Sequence, residues 1–158
     1  AGADKVAINT ACVSNPQLIK EVSNKYGSQC MILSVEAKRH SDSNWEVYTD
    51  CARESTGINV IDWVKEAEIL GAGEILLTSI DQEGTAKGYD AELIKMVSSN
   101  VKVPIIASGG YGKAEDMNLA VSAGADALAF ADILHIKNSN FLELRDIAHS
   151  YNIDIRKL

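Results

Sequence analysis

The chain has 158 residues, of which 46% are hydrophobic and 23% are charged, as expected for one globular domain with a real core. Its formal net charge of -7 is weak evidence against a protein that binds nucleic acid. Three cysteines without CxxC spacing argue against a disulfide framework and for a reducing cytoplasm, and no apolar run approaches the roughly 18 residues of a membrane span.

Apolar runs and capping residues divide the chain into alternating strands and helices. The first strand covers residues 5–9, and Asn15 and Pro16 are the expected cap and first residue of a helix that Gly27 ends. The other strands are expected at 30–35, 75–77, 104–107 and 127–130, and the other helices at 60–70, 90–98, 114–123 and 140–151. Strict β-α alternation predicts a parallel sheet with right-handed crossovers.

Residues 40–59 form a long polar segment with little helical period. Trp45, Val47 and Tyr48 alternate with polar residues there, which predicts a small hairpin. A segment this long on a compact domain is more often a functional loop than a plain connector.

Five strands fit either an open doubly wound sheet or part of an eight-stranded barrel. A near-repeat favours the barrel, because residues 1–7 read Ala-Gly-Ala-Asp-Lys-Val-Ala and residues 123–129 read Ala-Gly-Ala-Asp-Ala-Leu-Ala. The separation of the two copies is half of the roughly 250 residues of a (β/α)8 barrel. We therefore expect residues 1–158 to be one partial TIM-type barrel, with strands four to eight and without the first three β-α units.

Residues 73–90 combine a core strand with a candidate site. A continuous apolar run is followed by Thr78 and Asp81, which put polar groups at the carboxyl end of the strand. Gly84 lets the backbone turn tightly or approach a ligand, and Asp90 can cap the next helix. Because ligands bind at the carboxyl ends of parallel strands, we expect a functional site in this stretch.

Four motifs then identify a family. They are Gly-Ala-Asp-Lys-Val-Ala-Ile-Asn-Thr (2–10), Glu-Ala-Lys-Arg (36–39), Gly-Ala-Gly-Glu-Ile-Leu-Leu-Thr-Ser-Ile-Asp-Gln-Glu-Gly-Thr-Ala-Lys-Gly-Tyr-Asp (71–90) and Pro-Ile-Ile-Ala-Ser-Gly-Gly-Tyr-Gly (104–112). Together they closely resemble the cyclase subunit of imidazole glycerol phosphate synthase, over essentially the whole chain. The sister isomerase of the histidine pathway typically has Gly-Pro-Asn where this chain has Gly-Tyr-Asp (88–90).

The resemblance implies a (β/α)8 barrel that acts as a lyase in histidine biosynthesis. A glutaminase partner docks on the amino-terminal face, and ammonia passes through the barrel. At the carboxyl-terminal face the ammonia reacts with a bis-phosphorylated ribulosyl-aminoimidazole, giving imidazole glycerol phosphate and an aminoimidazole carboxamide nucleotide. The family's strand-one aspartate and strand-three glycine loop have no counterpart here, so the 158 residues alone are expected to be inactive.

Glu36 stands where the family has its other catalytic carboxylate, which is normally an aspartate. A carboxylate at a strand end can serve the proton transfers of ring closure. Glutamate is one methylene longer, and a misplacement of about 1 Å can cost on the order of 100-fold in rate. The alternative is that Glu36 pairs with Lys38 or Arg39 in a charged rim.

The resemblance also assigns two phosphate sites. Asn9 and Thr10 would hold one phosphate through backbone and hydroxyl donors, and a plain strand-end turn is the alternative. The other site would combine three loops, with the residues Gly84, Ser108, Gly109, Gly110, Ala131 and Asp132. Glycine loops before a helix expose backbone N–H groups to an anion, although a lone Gly-Gly is usually a turn.

Three positions depart from the family at places that it uses for substrate. Asp132 replaces the usual serine, which removes a hydroxyl donor and puts a repulsive charge beside a phosphate, and Glu83 and Glu36 each replace an aspartate. Together they predict a changed substrate, or one that lacks the second phosphate. Thr78 and Asp81 match the family. Thr78 would line the ammonia exit, position substrate or be simply a good strand residue, and Asp81 would bind either ligand or loop backbone.

Lys5 and Glu74 lie at the amino ends of their strands, where opposite charges facing a barrel mouth need to pair. In the family such a salt-bridged ring gates the entry of ammonia. The alternative is a purely stabilising role at the bottom of the barrel. Asp4 and Gln29 resemble residues that dock the glutaminase.

Three functions remain open. The first is the cyclase, and the second is a cyclase-like paralogue that conducts ammonia for the amidation of a bacterial surface sugar, suggested by the matched gate and the altered substrate side. The third is a non-catalytic half-barrel scaffold. His40, His135 and His149 show no metal-ligand spacing and are expected at the surface or in caps, and we expect no cofactor.

Overall fold

The computed structural model describes residues 2–135 and 140–155, and it has an α/β fold built on a mostly parallel sheet. Its strands are β1 (Val6–Ile8), β2 (Met31–Ser41), β3 (Asn44–Thr49), β4 (Glu54–Asn59), β5 (Glu74–Ser79), β6 (Ile105–Ser108) and β7 (Ala127–Leu128). Its helices are α1 (Thr10–Ser14), α2 (Gln17–Tyr26), α3 (Val60–Leu70), α4 (Ala91–Ser98), α5 (Ala114–Ser122), α6 (Asp132–His135) and α7 (Phe141–Ser150), with a 3-10 turn at Ser28–Cys30. Ala1, which opens the first copy of the repeat, lies outside the described residues.

The sheet has the strand order β4-β3-β2-β5-β6-β7, and β1 pairs with the first half of β2. The pairs β1–β2, β2–β5, β5–β6 and β6–β7 are parallel, which confirms the five predicted parallel strands. The pairs β2–β3 and β3–β4 are antiparallel, so the prediction of strict β-α alternation is wrong. Over the described residues the sheet ends at β7 and does not close into a barrel.

Residues 40–59 belong to this sheet and do not form a separate loop. The predicted hairpin is confirmed as β2–β3, and β4 adds a third antiparallel strand. Trp45 and Val47 are buried in the main core, at 1% and 0% exposure. Strand β2 does not end before Glu36, as was predicted, because it pairs with β3. After Ala37 its hydrogen-bonding partner is β3, and the strand continues to Ser41.

The main core lies between the sheet and the helices on one face. Alternate residues of β2 and β5 point into it, as the period of two in a strand requires. These fully buried residues are Met31, Leu33, Val35, Ala37, Ile75 and Leu77, and they pack with Ile19 of α2, Trp63 of α3 and Ile94 of α4. The intervening residues, such as Ser34 and Leu76, are only half-buried, so the opposite face of the sheet is open to a ligand or to further chain.

Capping side chains and a glycine set several of the helix ends. Asn59 caps α3 through its side chain, Gly71 ends α3 in the left-handed region at φ 107°, and Asp90 caps α4 by accepting from the Leu93 N–H. Asn15 does not cap α2 with its side chain, which corrects the prediction. The unpredicted helix α1 ends immediately before it, and Asn15 instead donates its backbone N–H to the Ala11 carbonyl.

Candidate functional site

A cavity of about 320 Å³, its open mouth included, lies at the carboxyl ends of β5, β6 and β7. We call it the glycine cavity. It is lined by Glu83, Gly84, Ala86, Ser108, Gly109, Gly110, Tyr111, Ala129, Phe130, Ala131, Asp132 and Ile133. All six residues that were assigned to the second phosphate site from the sequence therefore line this one cavity, although they come from three separate loops.

The backbone at Gly109 and Gly110, which line this cavity, has positive φ angles, a conformation that favours glycine. Their φ angles are 92° and 101°. A Cβ on Gly110 would lie 2.2 Å from the carbonyl oxygen of Gly88, whose own N–H donates to the Gly110 carbonyl at 2.8 Å. The N–H groups of Gly109 and Gly110 have no acceptor in the described part of the chain, so they are available to an anion.

The charges at the cavity wall are negative. Among the described residues that line it, Glu83 and Asp132 are the carboxylates and none is a lysine or an arginine. Glu83 Oε2 lies 3.1 Å from the position that a Cβ on Gly109 would take, so this carboxylate is beside the free amides. A carboxylate next to a bound phosphate is repulsive. Two of the three departures from the family thus lie at the predicted phosphate site.

The aromatic side chains of Tyr89, Tyr111 and Phe130 pack together at the glycine cavity. Tyr111 meets Phe130 edge to face with ring centroids 4.9 Å apart, and the half-buried Tyr89 donates its hydroxyl to the Ala129 carbonyl at 3.1 Å. Burial, followed by the nearby Tyr111 ring, raises the pKa of Tyr89, so its hydroxyl remains a donor at neutral pH. This group fixes the β6 and β7 loops relative to each other.

Asp116 is a structural residue of the site that sequence reasoning missed. It is 3% exposed, and its Oδ2 accepts from the N–H groups of Gly112 and Lys113 at 3.0 and 2.9 Å. Its other oxygen lies 3.1 Å from the Cβ position of Gly88. Asp116 thereby ties the start of α5 to the glycine loop. Asp116 is the third residue of α5 and accepts from the N–H of the N-cap Lys113, which is half of a capping box. An acidic residue in the first turn of a helix is the signal that could have revealed it.

A second cluster joins the other predicted site residues to the turn between β3 and β4. The Ala52 N–H donates to Glu36 Oε2 at 2.8 Å, and the Asp50 N–H donates to the Thr10 hydroxyl at 3.0 Å. Asn9 donates its amide to the Tyr48 carbonyl at 3.1 Å, whereas its buried Oδ1 has no partner among the described residues. We call this the turn cluster.

The turn itself has an unusual backbone. Asp50, Cys51 and Ala52 are consecutive and have φ angles of 52°, 57° and 62°. Left-handed conformations of residues other than glycine cost on the order of 1 kcal/mol or more each, and they persist where the surroundings hold them. The hydrogen bonds that the Asp50 and Ala52 N–H groups donate to Thr10 and Glu36 are two such restraints.

Glu36 of the turn cluster lies in one row across the sheet with Ser108 of the glycine cavity. Glu36 lies opposite Thr78 of β5, and Thr78 lies opposite Ser108 of β6, on the half-buried face. Since neighbouring strands are about 4.8 Å apart, the backbones of Glu36 and Ser108 are roughly 10 Å apart. Glu36 does not form the ion pairs of its alternative role, because Lys38 lies over the Tyr48 ring and Arg39 bonds Asp90 and Glu92.

Asp81 bonds the backbone of a strand. Its Oδ2 accepts from the N–H of Arg39 in β2 at 2.7 Å, and it does not line the glycine cavity. The partner is therefore not the loop backbone of the alternative prediction, and the ligand role stays a prediction.

The amino-terminal end of the sheet has the predicted ion pair. Lys5 Nζ binds Glu74 Oε1, with side chains 43% and 20% exposed. Asp4 and Gln29 are exposed near this end, and a groove of about 750 Å³ runs along Asp4, Lys5 and the exposed ring of Tyr26. The pairing is confirmed, and the gating and docking roles stay predictions.

His40, His135 and His149 are exposed, as expected. Within residues 2–135 and 140–155, no group of three metal-binding side chains comes together. None of the helices in those ranges is long and apolar enough to cross a membrane.

A family model and several known proteins match this chain. Residues 1–140 match the family described as "Histidine biosynthesis protein". A Legionella pneumophila protein is 62% identical over 117 residues, which is 74% of this chain and 55% of that protein. Proteins of Endomicrobium trichonymphae and Bifidobacterium adolescentis are 44% and 48% identical over 100% and 98% of this chain, and 61% and 62% of their own lengths. All three are named imidazole glycerol phosphate synthase subunit HisF, and the chain spans about three-fifths of their length.

Proposed function

We propose that this chain, which belongs to the histidine biosynthesis protein family, is part of a cyclase subunit of imidazole glycerol phosphate synthase. In this proposal β1 is the fourth strand of a (β/α)8 barrel and β7 is the eighth. The open edges of β1 and β7 support it, because strands from the rest of such a barrel would pair there.

The row of Glu36, Thr78 and Ser108 is the observation that carries the proposal. It puts one carboxylate between two groups of hydrogen-bond donors, as a substrate with a phosphate at each end requires. At one end are the free amides of Gly109 and Gly110. At the other end the Thr10 hydroxyl accepts from Asp50 and keeps its own hydrogen for an anion.

Glu36 is the proposed proton-transfer group. One of its oxygens is held by the Ala52 N–H, and Oε1 has no hydrogen-bond partner among the described residues. A carboxylate fixed in this way can take up and return protons as ammonia adds to the substrate and the imidazole ring closes. Thr78, its neighbour on β5, would orient the reacting part of the substrate.

Ammonia would enter at the opposite end of the sheet. The Lys5–Glu74 pair would open to admit it from a glutaminase that docks on Asp4 and Gln29. The relatives' designation as subunits supports a partner of this kind. Ammonia produced next to the gate would reach the Glu36 row along the half-buried face.

The test is turnover by the full-length protein that contains this chain, with the ribulosyl-aminoimidazole substrate and an ammonium salt. We expect imidazole glycerol phosphate as a product. Absence of this product, in a protein that still stimulates its glutaminase, would rule out the histidine pathway.

The charge of the glycine cavity favours a second candidate, a cyclase-like protein that delivers ammonia to a surface sugar. Glu83 and Asp132 repel a phosphate, but their oxygens can accept hydrogen bonds from sugar hydroxyls. If ammonia-dependent turnover occurs with an oxidised sugar nucleotide and not with the ribulosyl-aminoimidazole, this candidate replaces the first.

A further inference from the structure

Arg39 contacts both ends of the loop between β5 and α4, which we call the β5–α4 loop (residues 80–90). Its backbone N–H donates to Asp81 Oδ2 at 2.7 Å at the start of the loop. Its guanidinium donates to the two oxygens of Asp90, at 3.2 and 3.4 Å, at the end of the loop. A single residue of β2 therefore fixes both ends of the segment that puts Glu83 and Gly84 on the wall of the glycine cavity.

The Asp90 carboxylate is buried, and the Arg39 side chain that contacts it is part-buried. Asp90 is 9% exposed, and it also accepts from Trp45 Nε1 at 3.1 Å and from the Leu93 N–H at 3.0 Å. A buried carboxylate depends on its donors and on a compensating charge. Arg39 supplies that charge, so losing its side chain weakens the attachment of the loop to the rest of the fold.

The guanidinium is itself held in place. It stacks over the Trp45 ring, with its carbon 4.2 Å from the ring centroid, and Trp45 is its neighbour across β2 and β3. A second nitrogen donates to Glu92 at 2.9 Å, and Glu92 also accepts from Ser43. A planar fork can make these contacts together, whereas a lysine ammonium cannot.

We propose that Arg39 is a positioning residue that clamps the β5–α4 loop in the conformation that forms the glycine cavity. Its catalytic consequence rests on the proposed function. The clamp on the loop does not, because it depends only on contacts within the chain.

Trypsin can report the clamp directly. Lys87 is exposed in the loop, but the peptide bond after it leads to Gly88, which is buried and donates to Gly110. Cleavage there therefore tracks the population in which the loop has detached. In the full-length protein we expect Arg39→Met to raise the initial rate of cleavage after Lys87 by about tenfold, since charged hydrogen bonds are lost.

Two further variants make the test specific. Glu92→Gln weakens only the exposed arm of the clamp, where the Glu92 side chain is 51% exposed, and is expected to raise the same rate about threefold. Lys38→Met removes the neighbouring charge, which lies over Tyr48 and not on the loop, and is the matched control with an unchanged rate. Equal cleavage in Arg39→Met and wild type, or in Glu92→Gln and wild type if Arg39→Met does not fold, overturns the clamp.

Kinetics test the positioning role. We expect Arg39→Met to raise the KM for the phosphorylated substrate about tenfold, with kcat within about threefold, and Arg39→Lys to restore little of the loss. A wild-type KM in Arg39→Met overturns the positioning role. If the wild-type protein shows no cyclase turnover at all, the proposed function fails, and the trypsin rates alone decide the clamp.

Discussion

Glu36 and Ala52 are joined by a hydrogen bond of 2.8 Å, from the backbone N–H of Ala52 to the carboxylate of Glu36. The proposed proton-transfer group is thus oriented by the left-handed turn between β3 and β4. With one oxygen held by Ala52, Oε1 has no hydrogen-bond partner among the described residues, and the proposed substrate would reach it there.

Glu36→Gln removes the proposed proton transfer and keeps the hydrogen bond from Ala52. Glutamine retains an acceptor for Ala52 but cannot exchange a proton, so we expect kcat of ammonium-dependent cyclisation to fall about 100-fold or more. The free energy of unfolding should change by less than about 1 kcal/mol. Steady-state kinetics and urea unfolding measure the two quantities, with the exposed Glu54→Gln as control. Wild-type kcat in Glu36→Gln would remove this residue from the mechanism.

Asp132→Ser tests the negative charge of the glycine cavity. Removing a carboxylate and adding a hydroxyl donor should strengthen inhibition by inorganic phosphate about tenfold. Asp146→Ser, which changes an exposed aspartate on α7, should leave inhibition unchanged. If Asp132→Ser binds phosphate no better than wild type, the argument from the departures is wrong and the surface-sugar candidate loses its support.

Much of the parallel part of the fold could be predicted from the sequence, because its signals are local. The helix Val60–Leu70 was predicted with both ends correct, since Asn59 and Gly71 supply standard cap geometries. The glycine cavity could be anticipated because the carboxyl ends of neighbouring parallel strands meet at one edge, so Gly84, Gly109 and Asp132 had to come close.

The antiparallel part could be predicted only in part. The alternation around Trp45 and Val47 predicts the hairpin that β3 forms with β2, but β4 is a strand through its pairing with β3, which no local pattern reveals. Pairing with β3 also extends β2 beyond Glu36, where sequence alone suggested an end. The Arg39–Asp90 contact joins residues 51 positions apart, so it appears only in the folded chain.

Asp116→Ala should destabilise the protein by loosening the glycine loop. The substitution leaves the N–H groups of Gly112 and Lys113 without their acceptor in a part-buried loop, which costs about 1 kcal/mol. Urea unfolding at neutral pH measures it, and Glu66→Ala on the exposed side of α3 is the control. A loss no larger than that of the control would mean that Asp116 does not hold the glycine loop.

Glu46 gives the fold a defined dependence on pH. Hydrogen bonds from the Ser55 hydroxyl and then from the Gly57 N–H hold the pKa of Glu46 below its ordinary value of 4.5. A lowered carboxyl pKa stabilises the folded state above the unfolded value, and this contribution is lost as the pH falls through the folded value. The difference in unfolding free energy between wild type and Glu46→Gln should therefore be full at pH 7 and shrink below pH 4.5. A difference that does not vary with pH contradicts this account.

The central claim is that the Glu36 row joins ammonia to a bis-phosphorylated substrate. The most direct measurement supplies nitrogen-15 ammonium to the full-length protein with the ribulosyl-aminoimidazole substrate and records the mass of the product. We predict imidazole glycerol phosphate that carries one labelled nitrogen in its ring, formed by the wild type and lost in Glu36→Gln. Unlabelled substrate recovered unchanged, or label found only in another acceptor, would contradict the claim.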